Sequence, residues 1–220
     1  MDTSDAKRAI FQRIRRAQQR PDQPTADERQ AVQDYLRRHP EGPRPSLDGD
    51  VMDRFRQQAI RMADTVDEVA AMDEVPRAVA RYLDQEQLPL QAIAWTTLAN
   101  LPWQQAGMTL ACRPPVDADK VGITGCFCAV AETGTLLLLS GAGTFASASL
   151  LPETHIAIVP ASRIVPAMED AFALMRNERG ELPRAANFIS GPSRTGDIEQ
   201  TIVLGAHGPY RVHVIIVAND

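Results

Sequence analysis

The sequence predicts an α/β fold: a mostly parallel sheet flanked by helices, preceded by an N-terminal helical extension. Three observations carry this. Short apolar runs bounded by Gly, Ser and Pro alternate along the chain with amphipathic helical stretches, the pattern of parallel βαβ units. Two of those runs, Thr135–Leu139 and His155–Val159, have the Leu, Ile and Val content of short buried strands. A chain of 220 residues with 44% hydrophobic content suffices for one α/β domain of ordinary size with an appendage.

Taken in order, residues 1–20 set Lys7, Arg8, Arg13, Arg15, Arg16 and Arg20 against Asp2 and Asp5, with Ile10 and Ile14 four apart. This is a basic amphipathic helix with a narrow apolar stripe, read as a solvated helix or as a docking helix for an acidic partner. Thr25-x-x-Glu28 is a capping box opening a second helix through Ala31, Val32, Tyr35 and Leu36. His39–Pro45, with three prolines and a glycine, ends that helix and forms a linker. The extension is therefore assigned to residues 1–45 and the compact domain to 46–220. Val51, Phe55, Ala59 and Met62 mark a third helix, and Thr65–Val69 a strand. Asp73 is expected to cap a helix through Glu86, with Pro76 tolerated in its first turn, where its missing N–H had no partner. Ala92–Thr96 and Met108–Cys112 are strands. Val165–Arg176 is a helix entered through Pro166, Asn187–Ser190 a strand, Gly191–Gly196 a polar loop, Thr201–Leu204 an apolar run and Arg211–Val217 a last strand.

Composition excludes several functions. A net charge of −5 gives no electrostatic case for nucleic acid. No apolar run approaches the ~18–20 residues of a membrane span, and the N-terminus lacks the apolar centre of a secretion signal, so a cytoplasmic location is expected. The three cysteines, Cys112, Cys126 and Cys128, are too few for a cubane iron–sulfur cluster and have no Cys/His partners at zinc spacing, so neither cluster nor metal is expected in this chain. They read as small buried residues.

Three polar clusters are candidates for chemistry. Glu132-Thr133-Gly134-Thr135 precedes a buried strand, and Glu132 is either a base or nucleophile or a turn carboxylate satisfied by backbone amides. Ser140-Gly141-Ala142-Gly143-Thr144 offers backbone amides and hydroxyls to an anion, or is an ordinary strand-to-helix turn; it matches neither phosphate-loop motif. In Ser190–Glu199, Ser193, Arg194, Thr195, Asp197 and Glu199 can grip a carboxylate or phosphate, or form an exposed loop with a local ion pair. His207, on a tight Gly205–Pro209 turn, is a candidate acid/base residue or simply exposed.

The segments VGITG…AVAETGTLLLLSG, SLLPETHIAIVPASRIVPAMEDA and ISGPSRTGDIEQTIVLGAHGP, in that order, resemble the LUD domain, the lactate-utilization family typified by LutC and YkgG. The chain departs from the common form at Cys126-Phe127-Cys128, where many members carry small or acidic residues. The resemblance implies a Rossmann-like sheet related to the NagB/RpiA/CoA-transferase group. It implies a role, as subunit or accessory factor, in a cytoplasmic system oxidising L-lactate to pyruvate beside iron–sulfur partner proteins, this chain carrying no cluster. The ligand expected is a small carboxylate or phosphate-bearing molecule, with Glu132, Thr133, Thr135, Ser140, Ser193, Arg194, Asp197 and Glu199 around one site. The alternatives are a stand-alone acyl or CoA transferase using Glu132, and a non-catalytic ligand-binding or scaffolding module. In either active reading, Arg194 and Glu132 are expected to face a common cleft.

Overall fold

The computed structural model describes residues 3–21, 23–196 and 203–219. The chain divides into two units, Met1–Arg44 and Pro45–Asp220. In the first, helices α1 (Ser4–Ala17) and α2 (Ala26–Arg38) bury no residue. The capping box forms as the sequence predicts: Thr25 Oγ1 accepts from the Glu28 N–H and the Glu28 carboxylate accepts from the Thr25 N–H.

The second unit is built on a parallel six-stranded sheet. Its strands are β1 (Thr65–Ala71), β2 (Gln91–Ala94), β3 (Thr109–Ala111), β4 (Val121–Gly125), β7 (Thr154–Pro160) and β12 (Arg211–Asn219), in the order β1-β12-β7-β4-β2-β3. One face is covered by α4 (Val75–Gln85), whose Val75, Val79 and Leu83 pack with Val121, Ile123, Ile156 and Ile215.

The other face carries a feature that the sequence pattern hid, a second, four-stranded sheet. It contains β5 (Cys128–Val130), β6 (Thr135–Leu139), β8 (Ile164–Val165) and β9 (Ala186–Ile189), in the order β8-β5-β6-β9. Ala129, Leu136 and Leu138 of this sheet meet Ile93, Ala157 and Val214 of the first, together with Phe55 and Ala59 of α3 (Val51–Arg61). Cys128, Val130, Leu137 and Leu139 face the opposite way, onto Ala171 and Met175 of α5 (Met168–Arg179). The hairpin is thus buried on both sides, which is why it reads as an unbroken apolar run rather than an alternating one. β10 (Arg194–Thr195) and β11 (Val203–Leu204) form a small antiparallel ribbon.

Some boundaries differ from expectation for local reasons. Asp73 does not cap α4: β1 continues to Ala71 and a 3₁₀ turn over Met72–Glu74 leads into the helix. Helix α5 begins at Met168 rather than Val165, because Ile164 and Val165 pair with Ala129 and Val130, and the Pro166 carbonyl accepts from the Glu132 N–H. The Asp170 carboxylate, accepting from the Ala167 N–H, fixes that helix start. Arg194 and Thr195, expected in a loop, lie in a ladder.

Candidate functional site

Ligands of open α/β sheets bind beyond the carboxyl ends of the strands, where neighbouring strands send their connections to opposite faces. That point here lies between β2 and β4. After β2 the chain turns onto the α4 face, where Leu98 and Trp103 join the α4 cluster. After β4 it crosses to the second sheet through Cys126 and Phe127. A cavity of about 520 Å³ opens at this switch point, lined by Trp95 after β2, Gly125–Phe127 after β4, Leu139–Ala142 and Thr144 after β6, Arg163 after β7, and Glu178 and Arg179 at the end of α5.

The Ser140–Thr144 turn is locked in place. Ser140 donates its N–H to the Ala185 carbonyl and accepts the Ala185 N–H on Oγ. Thr144 returns its N–H to Gly141 O and its hydroxyl to Leu139 O. Gly143 holds φ +80°, and a Cβ there would lie 1.9 Å from Thr96 Oγ1, so only glycine lets the turn dock on the loop after β2.

Charge in the cavity is arranged around Phe127. Arg163 donates Nε to the Phe127 carbonyl at 2.8 Å and both terminal nitrogens to the Glu178 carboxylate at 2.6 and 2.9 Å. The Arg163 and Arg179 guanidinium carbons lie 4.8 and 5.6 Å from the Phe127 ring centroid. The Arg163 hydrogen bonds hold the Glu178 carboxyl below its usual range. Arg163 and Glu178 cancel, leaving Arg179 as the net positive charge of the lining. Burial pushes the Cys126 thiol far up and the Cys128 thiol to about 11, so both stay protonated at neutral pH and neither is an activated nucleophile.

Two of the clusters predicted from the sequence, Glu132–Thr135 and Ser140–Thr144, lie at opposite ends of β6. Ser140 and Gly141 line the cavity. Glu132, Thr133, Gly134 and Thr135 sit at the other end of β6, five residues away, or roughly 15 Å along an extended strand. There the hydroxyls form a chain, with Thr133 and Thr135 Oγ1 2.7 Å apart and Thr135 Oγ1 3.2 Å from Ser190 Oγ. Gly134, at φ +68°, presses on α3, where a Cβ would lie 2.5 Å from the Ala59 nitrogen. Arg194 donates to the Met62 carbonyl at 2.7 Å, while the Glu132 N–H goes to Pro166; no hydrogen bond or ion pair joins their side chains. Ser193 accepts the His207 N–H on Oγ at 3.3 Å, and the His207 side chain is exposed. Thr195 lies in β10. Asp197 and Glu199 fall outside the described residues. Among the described residues no cluster of His, Cys, Asp or Glu has the arrangement of a metal site.

Sequence reasoning missed Trp95, Arg163, Glu178 and Arg179, which come from separate elements and carry no local motif. Of the rest of the lining, the Ser140–Thr144 turn was legible as a polar cluster, and Cys126-Phe127-Cys128 only as a departure from the family pattern. It also missed Asp64, 5% exposed, whose carboxyl is raised by burial to about 7, against the opposing pull of Arg194.

Comparison with known proteins supplies the rest. The family model of the LUD domain matches residues 111–217. Lactate utilization protein C of Exiguobacterium sp. is 35% identical over 179 residues, which cover 76% of this chain and 78% of that protein. Lactate utilization protein C of Bacillus subtilis is 43% identical over 103 residues, covering 46% of this chain and 43% of the relative. Among solved structures, a DUF162 family protein from Deinococcus radiodurans matches with a TM-score of 0.60 and 26% identity, covering 79% of this chain and 100% of that one.

Proposed function

Because the chain belongs to the LUD domain family of lactate utilization protein C, we propose that it serves L-lactate utilization as a ligand-binding subunit or accessory factor. It would act in the cytoplasm beside iron–sulfur proteins that carry the electrons from L-lactate to pyruvate. The observation that carries this is similarity over most of both chains to a protein named for that role. The cavity at the ends of β2 and β4 supports a ligand-binding part in it, since its lining is net positive and suits an anion. Three cysteines, fewer than the four thiolates of a cubane cluster, support placing the redox centres on partners. Among the described residues no helix is long and apolar enough to cross a membrane.

The acyl-transferase alternative needs Glu132 beside the ligand, and it is not favoured, because Glu132 stands at the far end of β6 from the cavity. Deleting the gene from its host tests the reading. Growth on L-lactate should stop while growth on glucose continues, and a plasmid copy should restore it. Undiminished growth of the deletion strain on L-lactate would refute the role.

A further inference from the structure

Charge is divided unevenly along the chain. Helix α1 carries Lys7, Arg8, Arg13, Arg15 and Arg16 against Asp5 alone, a net +4 in a chain whose net is −5, so the remaining residues together carry −9. An asymmetry of this kind marks a basic segment suited to an anionic surface. Among the described residues only Arg8 of these five has a carboxylate within salt-bridge distance, that of Asp5 at 3.4 Å. The apolar side of the helix is equally unspent. Helix α1 buries no residue, and Ile10, Phe11 and Ile14 are 59, 45 and 43% exposed. At 3.6 residues per turn the three share one stripe, and Arg13 and Arg15 fall roughly 100° to either side of it. The stripe is short: the positions that would extend it by a turn hold Ala6 and Lys7 before Ile10, and Ala17 and Gln18 after Ile14. A protein groove that takes an amphipathic helix reads anchors over two turns or more, at i, i+3 or i+4, and i+7. One turn of anchors bordered by arginine suits a flat anionic plane instead. There an in-plane helix sinks its apolar stripe to the headgroup boundary, and the arginine stems reach up to the phosphates. In the same unit α2 leaves Val32, Tyr35 and Leu36 exposed, with Arg37 and Arg38 in its last turn.

We propose that α1 is a membrane-surface helix: Ile10, Phe11 and Ile14 enter the boundary of an anionic phospholipid leaflet, and Arg13, Arg15 and the neighbouring cations hold its phosphates. The occupant of this face is the lipid surface rather than an acidic protein. A helix lying in the plane of one leaflet needs no spanning segment, and among the described residues no helix is long and apolar enough to be one. The other residues, at net −9, are repelled by the same leaflet, so the attraction falls on the basic helix. The proposal is independent of the cavity and of the lactate reading.

Co-sedimentation of the purified full-length protein with vesicles tests it. Vesicles of equal parts phosphatidylglycerol and phosphatidylcholine should bind it at least tenfold more tightly than vesicles of phosphatidylcholine alone. Raising the salt from about 0.05 M to about 0.5 M should remove most of that binding. The charge variant Arg13→Glu/Arg15→Glu/Arg16→Glu should lower the affinity for anionic vesicles at least tenfold, and the apolar variant Phe11→Ser/Ile14→Ser severalfold. Both should leave the main melting transition unchanged, because α1 buries no residue. Poly-L-glutamate matched for charge should compete weakly and bind the apolar variant as it binds the parent. Equal binding to the two kinds of vesicle, or binding to anionic vesicles indifferent to either variant, would overturn the proposal. Poly-L-glutamate bound as tightly as the anionic vesicles would overturn the choice of a lipid surface and point to an acidic protein in its place.

Discussion

At the scale of single residues, the fold depends on a few positions where chemistry leaves one choice. Gly143→Ala puts a methyl into Thr96 Oγ1 at a φ of +80°, so it should cost about 2 kcal/mol or more and loosen the cavity wall; a lowered Tm is the check, and an unchanged one would mean that the turn is not locked on Thr96. Asp64 makes a different prediction. Its carboxyl is neutral in the fold up to about pH 7 but ionises from its ordinary 3.8 in the unfolded chain. The raised value means that its contribution is whole below pH 4 and is lost as pH climbs to 7. Asp64→Asn should remove that slope and leave the variant more stable than the parent at pH 8 by on the order of 2 kcal/mol. Denaturant melts at pH 5 and pH 8 measure it, and equal midpoint shifts at the two pH values would show that the carboxyl is not neutral in the fold. Neither position was legible in the sequence: Gly143 sat in a recognised turn whose partner Thr96 lies 47 residues away, and Asp64 is an ordinary acidic residue until α3 and the Arg194 segment close over it.

At the scale of elements, the β5–β6 hairpin is the part on which the two sheets, α3 and α5 all depend. Its apolar run was plain in the sequence, but its partners were not, because burial on both faces erases the alternation that would have announced a second sheet. The same loss of pattern explains how Glu132 and Ser140, both rightly read as strand-end polar groups, came to be grouped in one site: sequence proximity hid the length of the strand between them. The hairpin tip fits α3 so closely that Gly134→Ala, with its Cβ 2.5 Å from the Ala59 nitrogen and φ +68°, should destabilise the protein by about 3 kcal/mol. Backbone cannot yield as a flexible side chain can, so a loss under 1 kcal/mol by thermal or urea melting would mean that α3 moves freely relative to the hairpin.

At the scale of the whole molecule, the pattern of strands and helices, the parallel sheet and the family were readable because each rests on long apolar runs or extended motifs. The cavity was not, because it is assembled from five separate segments. Two buried histidines set the acid limit of stability. His155, 2.8 Å from Thr124 Oγ1, is pushed down to about 3, and His213, stacked on Tyr82 and 2.8 Å from Thr65 Oγ1, to about 4, both chiefly by burial. Being depressed below 6.5, they favour the fold above that pH and lose their contribution as pH falls toward 4, so with Asp64 acting in the other direction the Tm should peak near pH 6. A Tm that rises without a break from pH 6 to pH 4 would contradict the histidine part. The most direct test of the account compares the two ends of β6 in a strain lacking the gene, grown on L-lactate with plasmid-borne variants made to equal levels. If the switch-point cavity is the working site, Arg179→Ala should slow growth severalfold while Glu132→Gln and Arg194→Lys grow like the parent; arrest by Glu132→Gln with full growth of Arg179→Ala would place the chemistry at the other end of the strand.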